Sequence, residues 1–511
     1  MFSMRVIFAA TVTLLLCCAL ARGQQERSHV ERFSSPEKKA ERTEAEATAK
    51  LARTPDDAET LNERALARMR LGRYAEAHDD LRRALALQPQ SAEYWANLGY
   101  ALWRLGKLAE AIEAERAALK LDEKNFVANY QLGRFLLRTG DVKLLPEAVK
   151  YLRRALELDP RQYEVRFELI AAYRLLGDTA QALAQLDVLL DARPSDPRVI
   201  YVNALLAADR GDLAEAVKGF RTALRQDPTL DGVRLDLGLA YLKMQRWQEA
   251  VEVFDELARR QADSVEAAYF HALALYNAGR IDDAEREARR ALRLNAGAAP
   301  AHTLLGIILA SRGGAEREAL ESLTQAVALD PASFDANLYL GRVQYMMRNY
   351  TEAARSLRAA VRLNPRHAEA HFLLGTVLEA LGDAEAAMRE YQEIGQREPQ
   401  SIYGQLGLGA LLVKQGKIED AIAALRRATA LEPKNFEAQW ALGRALLLAN
   451  RPAEALEPLR SAVALAPDRT DARYQLGLAL KRLGRDKEAA REFATVERLN
   501  AEFRAGAAPK P

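Results

Sequence analysis

The chain has 511 residues, of which 49% are hydrophobic and 28% are charged, a balance typical of folded rather than disordered proteins. Its 73 lysines and arginines nearly match its 71 aspartates and glutamates, so charge gives no reason to expect nucleic acid or an anionic membrane as a partner. Aromatic residues make up 7%, and the abundance of alanine, leucine, glutamate and arginine favours helices over strands.

The first 21 residues differ from the rest of the chain. Arg5 precedes an apolar run over residues 6–20, which ends at the small residues of Ala19-Leu20-Ala21. This is the layout of a secretory signal peptide, which we assign to residues 1–21. We therefore expect export, to a bacterial periplasm or to the medium, and no membrane span after the signal is removed. An uncleaved N-terminal anchor is the alternative, although the run is shorter than the roughly 20 residues of a spanning helix.

Both cysteines, Cys17 and Cys18, lie inside this segment. Cleavage would leave no thiol for a disulfide, a zinc site or a cysteine nucleophile. A lipoprotein signal is disfavoured because Leu16 and Cys17 stand where a small residue usually precedes the modified cysteine.

An alanine recurs through the chain at almost constant spacing, which is the mark of a repeat architecture. The step is 34 residues, except for steps of 37 and 35 residues that we place at turns inside two repeats, in "GDVKLLPEA" and "GGAEREA". The recurring residues are Ala77, Ala111, Ala148, Ala182, Ala216, Ala250, Ala284, Ala319, Ala353, Ala387, Ala421, Ala455 and Ala489.

Each repeat is predicted to form two helices. In residues 436–469 two apolar stripes at helical spacing flank a turn, and Pro467 closes the unit. Ten of the turns carry glycine, which readily adopts the left-handed backbone conformation that commonly ends a helix. The other three carry Gln245, Arg348 and Asn450, where we expect a modest local cost in stability. Side chains that cap helices precede many first helices, at Asp57, Ser91, Asn125, Asp196, Ser264, Ser333, Ser401 and Asn435.

Small residues also recur early in each first helix, where they allow the two helices of a pair to approach closely. Ile170 interrupts the series, so the fourth repeat is expected to pack differently. The series comprises Ala65, Gly99, Gly133, Ala204, Gly238, Ala272, Gly306, Gly341, Gly375, Gly409, Gly443 and Gly477.

This unit, with Leu-Gly, a turn glycine, alanine and a closing proline, resembles the tetratricopeptide repeat family. The resemblance implies an all-α fold, a right-handed α-solenoid (superhelix) of tandem helix–turn–helix units that binds proteins or peptides. Thirteen units cover residues 58–503. Residues 22–35 are predicted to be a linker, residues 36–57 a capping helix that ends at Pro55, and residues 504–511 a flexible tail.

No enzyme site is expected, because the repeats account for every segment from 58 to 503 and leave no room for another domain. His367 and His371 lie four residues apart, as paired metal ligands can, but a third ligand and the HExxH order are missing. We expect both to be structural, as well as His271 at a usual leucine position. No metal and no cofactor are predicted.

In the family the first helices line the concave face, and two positions along them carry rings and guanidinium groups here. Such residues suit an extended peptide or a partner helix. The alternative is that the rings only fill the seams between repeats. The candidate peptide-binding residues are Tyr130, Arg134, Phe167, Tyr201, Tyr269, Leu338, Arg342, Phe372, Trp440, Arg444 and Tyr474.

The leading hypothesis is a non-catalytic exported scaffold whose partner is a protein or peptide. A second is an accessory protein for polysaccharide or cell-envelope assembly, with the rings stacking on a glycan. A metal-dependent enzyme is the third. The family's chaperone-binding clamp is not expected, because Leu66 and Ala96 break its asparagine pattern after Asn62.

Overall fold

A computed structural model describes residues 34–506, with side chains over residues 37–502. These residues form 27 α-helices, and no strand occurs among them. The predicted signal peptide and most of the predicted linker lie outside the described residues, as does the end of the predicted tail.

After the first helix, Ser34–Leu51, the helices follow in pairs, which we number as repeats 1 to 13. The pairs are Ala58–Arg70 and Tyr74–Leu87, Ala92–Arg104 and Leu108–Leu121, Phe126–Arg138 and Leu145–Leu158, Tyr163–Leu176 and Thr179–Ala192, Pro197–Asp209 and Leu213–Gln226, Asp231–Lys243 and Trp247–Arg260, Val265–Asn277 and Ile281–Leu294, Ala299–Arg312 and Glu316–Leu329, Phe334–Met346 and Tyr350–Leu363, Ala368–Ala380 and Ala384–Arg397, Ile402–Lys414 and Ile418–Leu431, Phe436–Leu448 and Pro452–Leu465, and Thr470–Arg482 and Asp486–Gly506.

The helix Ser34–Leu51 packs on repeat 1. Ala40, Ala47 and Leu51 are buried, and the Glu44 carboxylate pairs with the guanidinium of Arg68 at 3.1 Å. The helix ends four residues before Pro55, earlier than the sequence indicated, because a proline disfavours helical backbone in the residue before it and the chain turns at residues 52–54. At the other end, the last helix continues to Gly506 rather than stopping at residue 503.

The turns inside the repeats adopt the left-handed backbone that the sequence indicated. The predicted glycines have positive φ, and so do Gln245, Arg348 and Asn450, at 56°, 62° and 56°. Both extra-length turns lie where they were predicted. A 3₁₀ turn at Val142–Leu144 takes up the insertion in repeat 3, and two glycines with positive φ take it up in repeat 8.

The close approach of the paired helices depends on a small residue of the first helix facing a large residue of the second. A Cβ atom on Gly133 would lie 2.6 Å from Cγ of Leu152, and one on Gly341 would lie 2.6 Å from Cγ of Leu357. Any side chain at these glycines would force the helices apart, which confirms the predicted reason for the small residues.

Seven of the eight predicted caps accept a hydrogen bond from a backbone N–H of the following helix. Ser401 is the exception, since its side chain makes no such bond. His367, which the sequence did not indicate as a cap, accepts from the N–H of Ala370 through Nδ1 at 3.2 Å.

A second recurring hydrogen bond was not foreseen. The fourth residue of many first helices donates a side-chain N–H to the backbone carbonyl six residues earlier, at the end of the preceding repeat. Trp95, for example, donates through Nε1 to the carbonyl of Pro89 at 3.1 Å. The same bond is made by Asn129, Arg166, Arg234, His302, Asn337, His371, Gln439 and Arg473. Where it occurs, this bond ties a repeat to the one before it.

The chain divides into two compact units, one of which ends at Ala262 while the other begins at Asp263. In both units most consecutive first helices contact each other, and consecutive second helices do so less. We call the exposed surface of the first helices in each unit the first-helix face. No helix of residues 34–506 is long and apolar enough to cross a bilayer.

Candidate peptide-binding face

The candidate residues in repeats 3 and 4 form a packed layer of rings and charges. Tyr130 stacks on Phe126, with ring centroids 6.2 Å apart and an angle of 16° between the rings. The guanidinium of Arg134 lies 4.6 Å from the centroid of the Trp103 ring, and its Nε lies 3.5 Å from the Glu168 carboxylate. Because this guanidinium joins repeats 2, 3 and 4, it stabilises the stack and presents little free surface.

Phe167 lies on the same face and is half-buried. The guanidinium of Arg198, from the next repeat, covers its ring at 4.8 Å from the centroid. A partner could stack on this ring only after Arg198 moves.

Tyr201 belongs to a polar cluster that spans repeats 4 to 6. Its hydroxyl donates to the carboxylate of Asp236 at 2.5 Å, and Arg174 forms a bidentate pair with Asp209 at 2.5 and 3.0 Å. Burial raises the pKa of Asp236 to about 6, although the Tyr201 hydroxyl and the Arg174 charge both oppose this shift. The pKa of Tyr201 is raised by burial and then by the neighbouring Asp236. The sequence indicated Tyr201 but not its acidic partner.

Two of the candidate residues are core residues. Tyr269 retains 7% of its exposure and packs edge-on against Phe270, with ring centroids 5.1 Å apart, and Leu338 retains 2%. Because a partner cannot reach side chains at this depth, we remove both from the candidate surface.

Rings of repeats 10 and 11 form the next part of the face. Phe372 is half-buried, and its ring lies 5.2 Å from that of Tyr403 and 6.0 Å from that of Tyr391. The Tyr391 ring in turn fills the space against Gly375, where a Cβ atom would approach it to 2.5 Å. Phe372 therefore has one edge in the core and one toward the surface.

The most open part of the candidate surface lies on repeats 12 and 13. Trp440, Arg444 and Leu448 follow one another at four-residue spacing on one helix, with the Arg444 guanidinium 5.7 Å from the Trp440 ring centroid. Arg444 is exposed, as are Leu448 at 54% and Tyr474 at 48%. The indole Nε1 of Trp440 is buried and has no hydrogen-bond partner in the described residues. Apolar area, a ring and a guanidinium are thus available together.

The two histidines of the pair contact different neighbours. His367 caps its helix and lies against the Phe334 ring, with ring centroids 4.7 Å apart. His371 is buried and uses both ring nitrogens, Nδ1 with the Glu390 carboxylate at 2.6 Å and Nε2 with the Pro365 carbonyl at 3.1 Å. No group of three metal-ligating side chains occurs over residues 37–502. In this structure His367 contacts a helix N-terminus and a ring, and His371 contacts a carboxylate and a carbonyl.

Models of the tetratricopeptide repeat family match almost the whole of the repeat region. One model matches residues 62–126, 271–318, 316–354, 344–401, 406–470 and 449–502, a second matches residues 145–206 and 207–275, and a third matches residues 127–162. The chain belongs to the tetratricopeptide repeat family, and its repeats form an all-α solenoid of the kind that serves as a scaffold for protein–protein interaction.

Among solved structures, the chain is similar to that titled "Crystal structure of APC/C hetero-tetramer Cut9-Hcn1", with 16% identity over 87% of this chain and 93% of the other, and a TM-score of 0.48. It is also similar to yeast Tom70, with 18% identity over 82% of this chain and 97% of the other, and a TM-score of 0.42. Comparison with curated proteins gives no match.

Proposed function

We propose that this protein is a non-catalytic scaffold that binds a protein or peptide partner through its first-helix face, with repeats 12 and 13 as the main contact. The observation that supports this is the joint exposure of Arg444, Leu448 and Tyr474 on adjacent first helices. A ring, an aliphatic side chain and a guanidinium are the groups that carry most binding energy at protein interfaces.

The experiment is affinity capture from the native source with the wild type and with the triple variant Arg444→Ala, Leu448→Ala and Tyr474→Ala. All three side chains are exposed, so the variant should fold, which circular dichroism checks. The control replaces Arg427 and Leu465 with alanine, two exposed residues of second helices. We expect the triple variant to lose partners that the wild type and the control retain. The same partners in all three samples would refute the proposed surface.

We further propose that the protein is exported. Support comes from the sequence of residues 1–21, with Arg5, the apolar run and the small residues at its end. Cell fractionation and N-terminal sequencing of the purified protein test this proposal. An N-terminus near residue 22 in the exported fraction is expected, whereas a full-length protein held at the membrane would favour the anchor.

A role in polysaccharide or envelope assembly is the second candidate function. The exposed ring of Tyr474 is the feature that favours it, because a sugar can stack on an open aromatic face. Glycan-array binding by the wild type and by Tyr474→Ala would separate a glycan ligand from a protein partner.

A further inference from the structure

Three aromatic rings hold one guanidinium on the first-helix face of the first unit. Arg104 ends the helix Ala92–Arg104, and its Cζ atom lies 4.4 Å from the centroid of the Tyr74 ring. The same atom lies 6.0 Å from the ring centroid of Tyr100 and 5.8 Å from that of Trp103. Nη1 of Arg104 also donates to the Tyr100 hydroxyl at 3.1 Å. The residue is exposed, so the rings fix a cation at the surface.

The rings are themselves anchored in the core. Tyr74 packs edge-on against Tyr100 with ring centroids 6.5 Å apart, and the Tyr100 and Trp103 centroids are 5.6 Å apart. Trp103 stacks at 5.5 Å on Phe135 of repeat 3, which is fully buried. Ring contacts therefore run without a break from the core to the guanidinium of Arg104, and they limit the positions open to it.

Arg104 has no carboxylate partner, unlike two other first-helix arginines of this unit that lie over rings. Arg134 of repeat 3 lies 3.5 Å from the Glu168 carboxylate, and Arg198 of repeat 5 pairs with Glu164 at 3.0 Å. Over residues 37–502, Arg104 forms no ion pair, and its only hydrogen bond goes to a tyrosine hydroxyl. Four of its five N–H donors thus have no partner in that part of the chain.

A second guanidinium adds positive charge to the same part of the face. Arg70 ends the first helix of repeat 1, 34 residues before Arg104, and is exposed. Among residues 37–502 it makes neither an ion pair nor a side-chain hydrogen bond. In repeat 3 the same position holds Arg138, whose charge is compensated by Glu168 at 3.3 Å. Repeats 1 and 2 therefore present two uncompensated cations, and their complement is an anion.

We propose that Arg104 binds an acidic side chain, aspartate or glutamate, of the protein or peptide partner, and that Arg70 adds to the attraction from the neighbouring repeat. A guanidinium presents a planar fork of donors that matches a carboxylate. One that is already held on rings loses less freedom when it binds. This inference rests on the proposed function, to which it adds a second contact in the first unit and the chemistry of the partner residue.

Fluorine NMR of the purified protein labelled with 5-fluorotryptophan reports on this site separately. The chain has four tryptophans, of which Trp103 lies beside Arg104 and Trp440 lies at the proposed main contact. The probes are serine-rich nonapeptides, acetylated and amidated at their ends, whose central pair of residues is glutamate, glutamine or lysine. At low salt the glutamate peptide should shift the Trp103 signal, which a Trp103→Phe variant assigns. It should bind at least about tenfold more tightly than the glutamine peptide, the magnitude of one charge-assisted hydrogen bond.

Three variants separate the site from net charge. Arg104→Gln should abolish the tenfold preference. Arg82→Gln removes the same charge from an exposed position on a second helix of repeat 1 and should retain the preference. Arg104→Lys keeps the charge without the planar fork, so it should lose most of the preference. Both arginines are exposed, so the variants should fold, which circular dichroism checks.

Several results would overturn this inference. They are equal affinity for the glutamate and glutamine peptides, a preference for lysine, no binding up to about 5 mM, and a shift of the Trp440 signal instead of Trp103. A preference that survives Arg104→Gln or Arg104→Lys, or that Arg82→Gln loses equally, would do the same. The proposed function would remain intact if the triple variant of repeats 12 and 13 still loses its captured partner. Unchanged capture by that triple variant would instead refute the proposed function, whatever the peptides show.

Discussion

Gly99 of the first helix in repeat 2 lies directly against the carboxyl group of Glu115 in the second helix, and a Cβ atom at position 99 would overlap it. Glu115 is fully buried, and neither of its carboxyl oxygens has a hydrogen-bond partner among the described residues. In other repeats leucine occupies this place, as in Leu152 against Gly133 and Leu425 against Gly409. Repeat 2 thus has an acid at a core position.

Replacing Glu115 with leucine should therefore stabilise repeat 2 at neutral pH, by about 2 kcal/mol from the removal of an unsatisfied buried polar group. Glu115→Gln, which has the same size and no charge, separates the effect of charge from the effect of shape. Hydrogen exchange of the helices Ala92–Arg104 and Leu108–Leu121 is the measurement. Lower protection in the leucine variant would contradict the packing argument.

The buried Glu115 should also make the stability of repeat 2 depend on pH. Burial raises its pKa well above the ordinary value, so folding takes up a proton once the pH exceeds the unfolded carboxyl pKa of about 4.3. The protection of repeat 2 should be greatest at acidic pH and should fall as the pH rises toward the folded pKa. Glu115→Gln should remove this slope, and an unchanged slope would assign it to another group.

His371 should add a separate pH dependence in repeat 10. The hydrogen bond with Glu390 raises its pKa, the bond to the Pro365 carbonyl adds to the shift, and burial and Arg397 oppose it. Because the pKa is higher in the folded state, protonated His371 stabilises the fold below the unfolded pKa of about 6.5. This stabilisation is lost as the pH rises through the folded pKa. The helix Ala368–Ala380 should exchange more slowly at pH 6 than at pH 8, relative to a His371→Gln variant.

Glutamine is the matched replacement because Gln439 already donates to the carbonyl of Pro433 at 2.9 Å in repeat 12. His371→Gln should keep the bond to Pro365 and lose the imidazole charge together with the bond to Glu390. A difference between the two proteins that is constant from pH 5.5 to pH 8 would show that the imidazole charge does not contribute.

Ala353 tests the packing of the helix pair in repeat 9. It is fully buried, and its carbonyl oxygen faces Gly341 of the first helix. Ala353→Leu should destabilise this repeat by about 1–3 kcal/mol through overpacking. The exposed Ala430 provides the control, since leucine there should leave the denaturation curve unchanged. Identical curves for Ala353→Leu and the wild type would contradict the close-approach model.

The three turns without glycine offer stabilising changes. Gln245 and Arg348 adopt positive φ, which costs a residue with a Cβ atom about 1 kcal/mol. Gln245→Gly or Arg348→Gly should raise the free energy of unfolding by up to about 1 kcal/mol. Asn450→Gly should gain less because asparagine tolerates this conformation better. Thermal melts are the measurement, and a larger gain at Asn450 than at Arg348 would refute this explanation.

Most of the fold could be predicted because residues that recur at a fixed position of the repeat meet a requirement of the backbone at that position. The left-handed turns, including Arg348, follow from the register alone, as do the glycines that face large side chains. The helix caps could also be predicted from the pattern, except at Ser401, whose hydroxyl makes no hydrogen bond to its helix. The hydrogen bonds to the preceding carbonyl were missed because tryptophan, arginine, histidine and amides all supply them, so no single residue type marks the position.

The candidate site was less predictable because burial depends on neighbouring repeats. Tyr269 and Tyr474 occupy the same position in their helices, yet Tyr269 is buried beside Phe270 and Tyr474 is exposed in the last repeat described. Asp335 and Glu437 are both the second residue of a first helix, yet Asp335 is buried and Glu437 is exposed. Glu115 could have been recognised from the sequence, as the acid at a position that holds leucine or an aromatic ring in most repeats.

The bond from the fourth residue of a first helix to the carbonyl of the previous repeat has an evolutionary consequence. Where this bond forms, it needs only a side-chain donor on one side and a backbone acceptor on the other, and every residue supplies the acceptor. Duplication or deletion of a 34-residue segment that begins with such a donor would therefore bring together two ends that already fit. Such a chain can change its length by whole modules while the surfaces that recognise partners diverge independently.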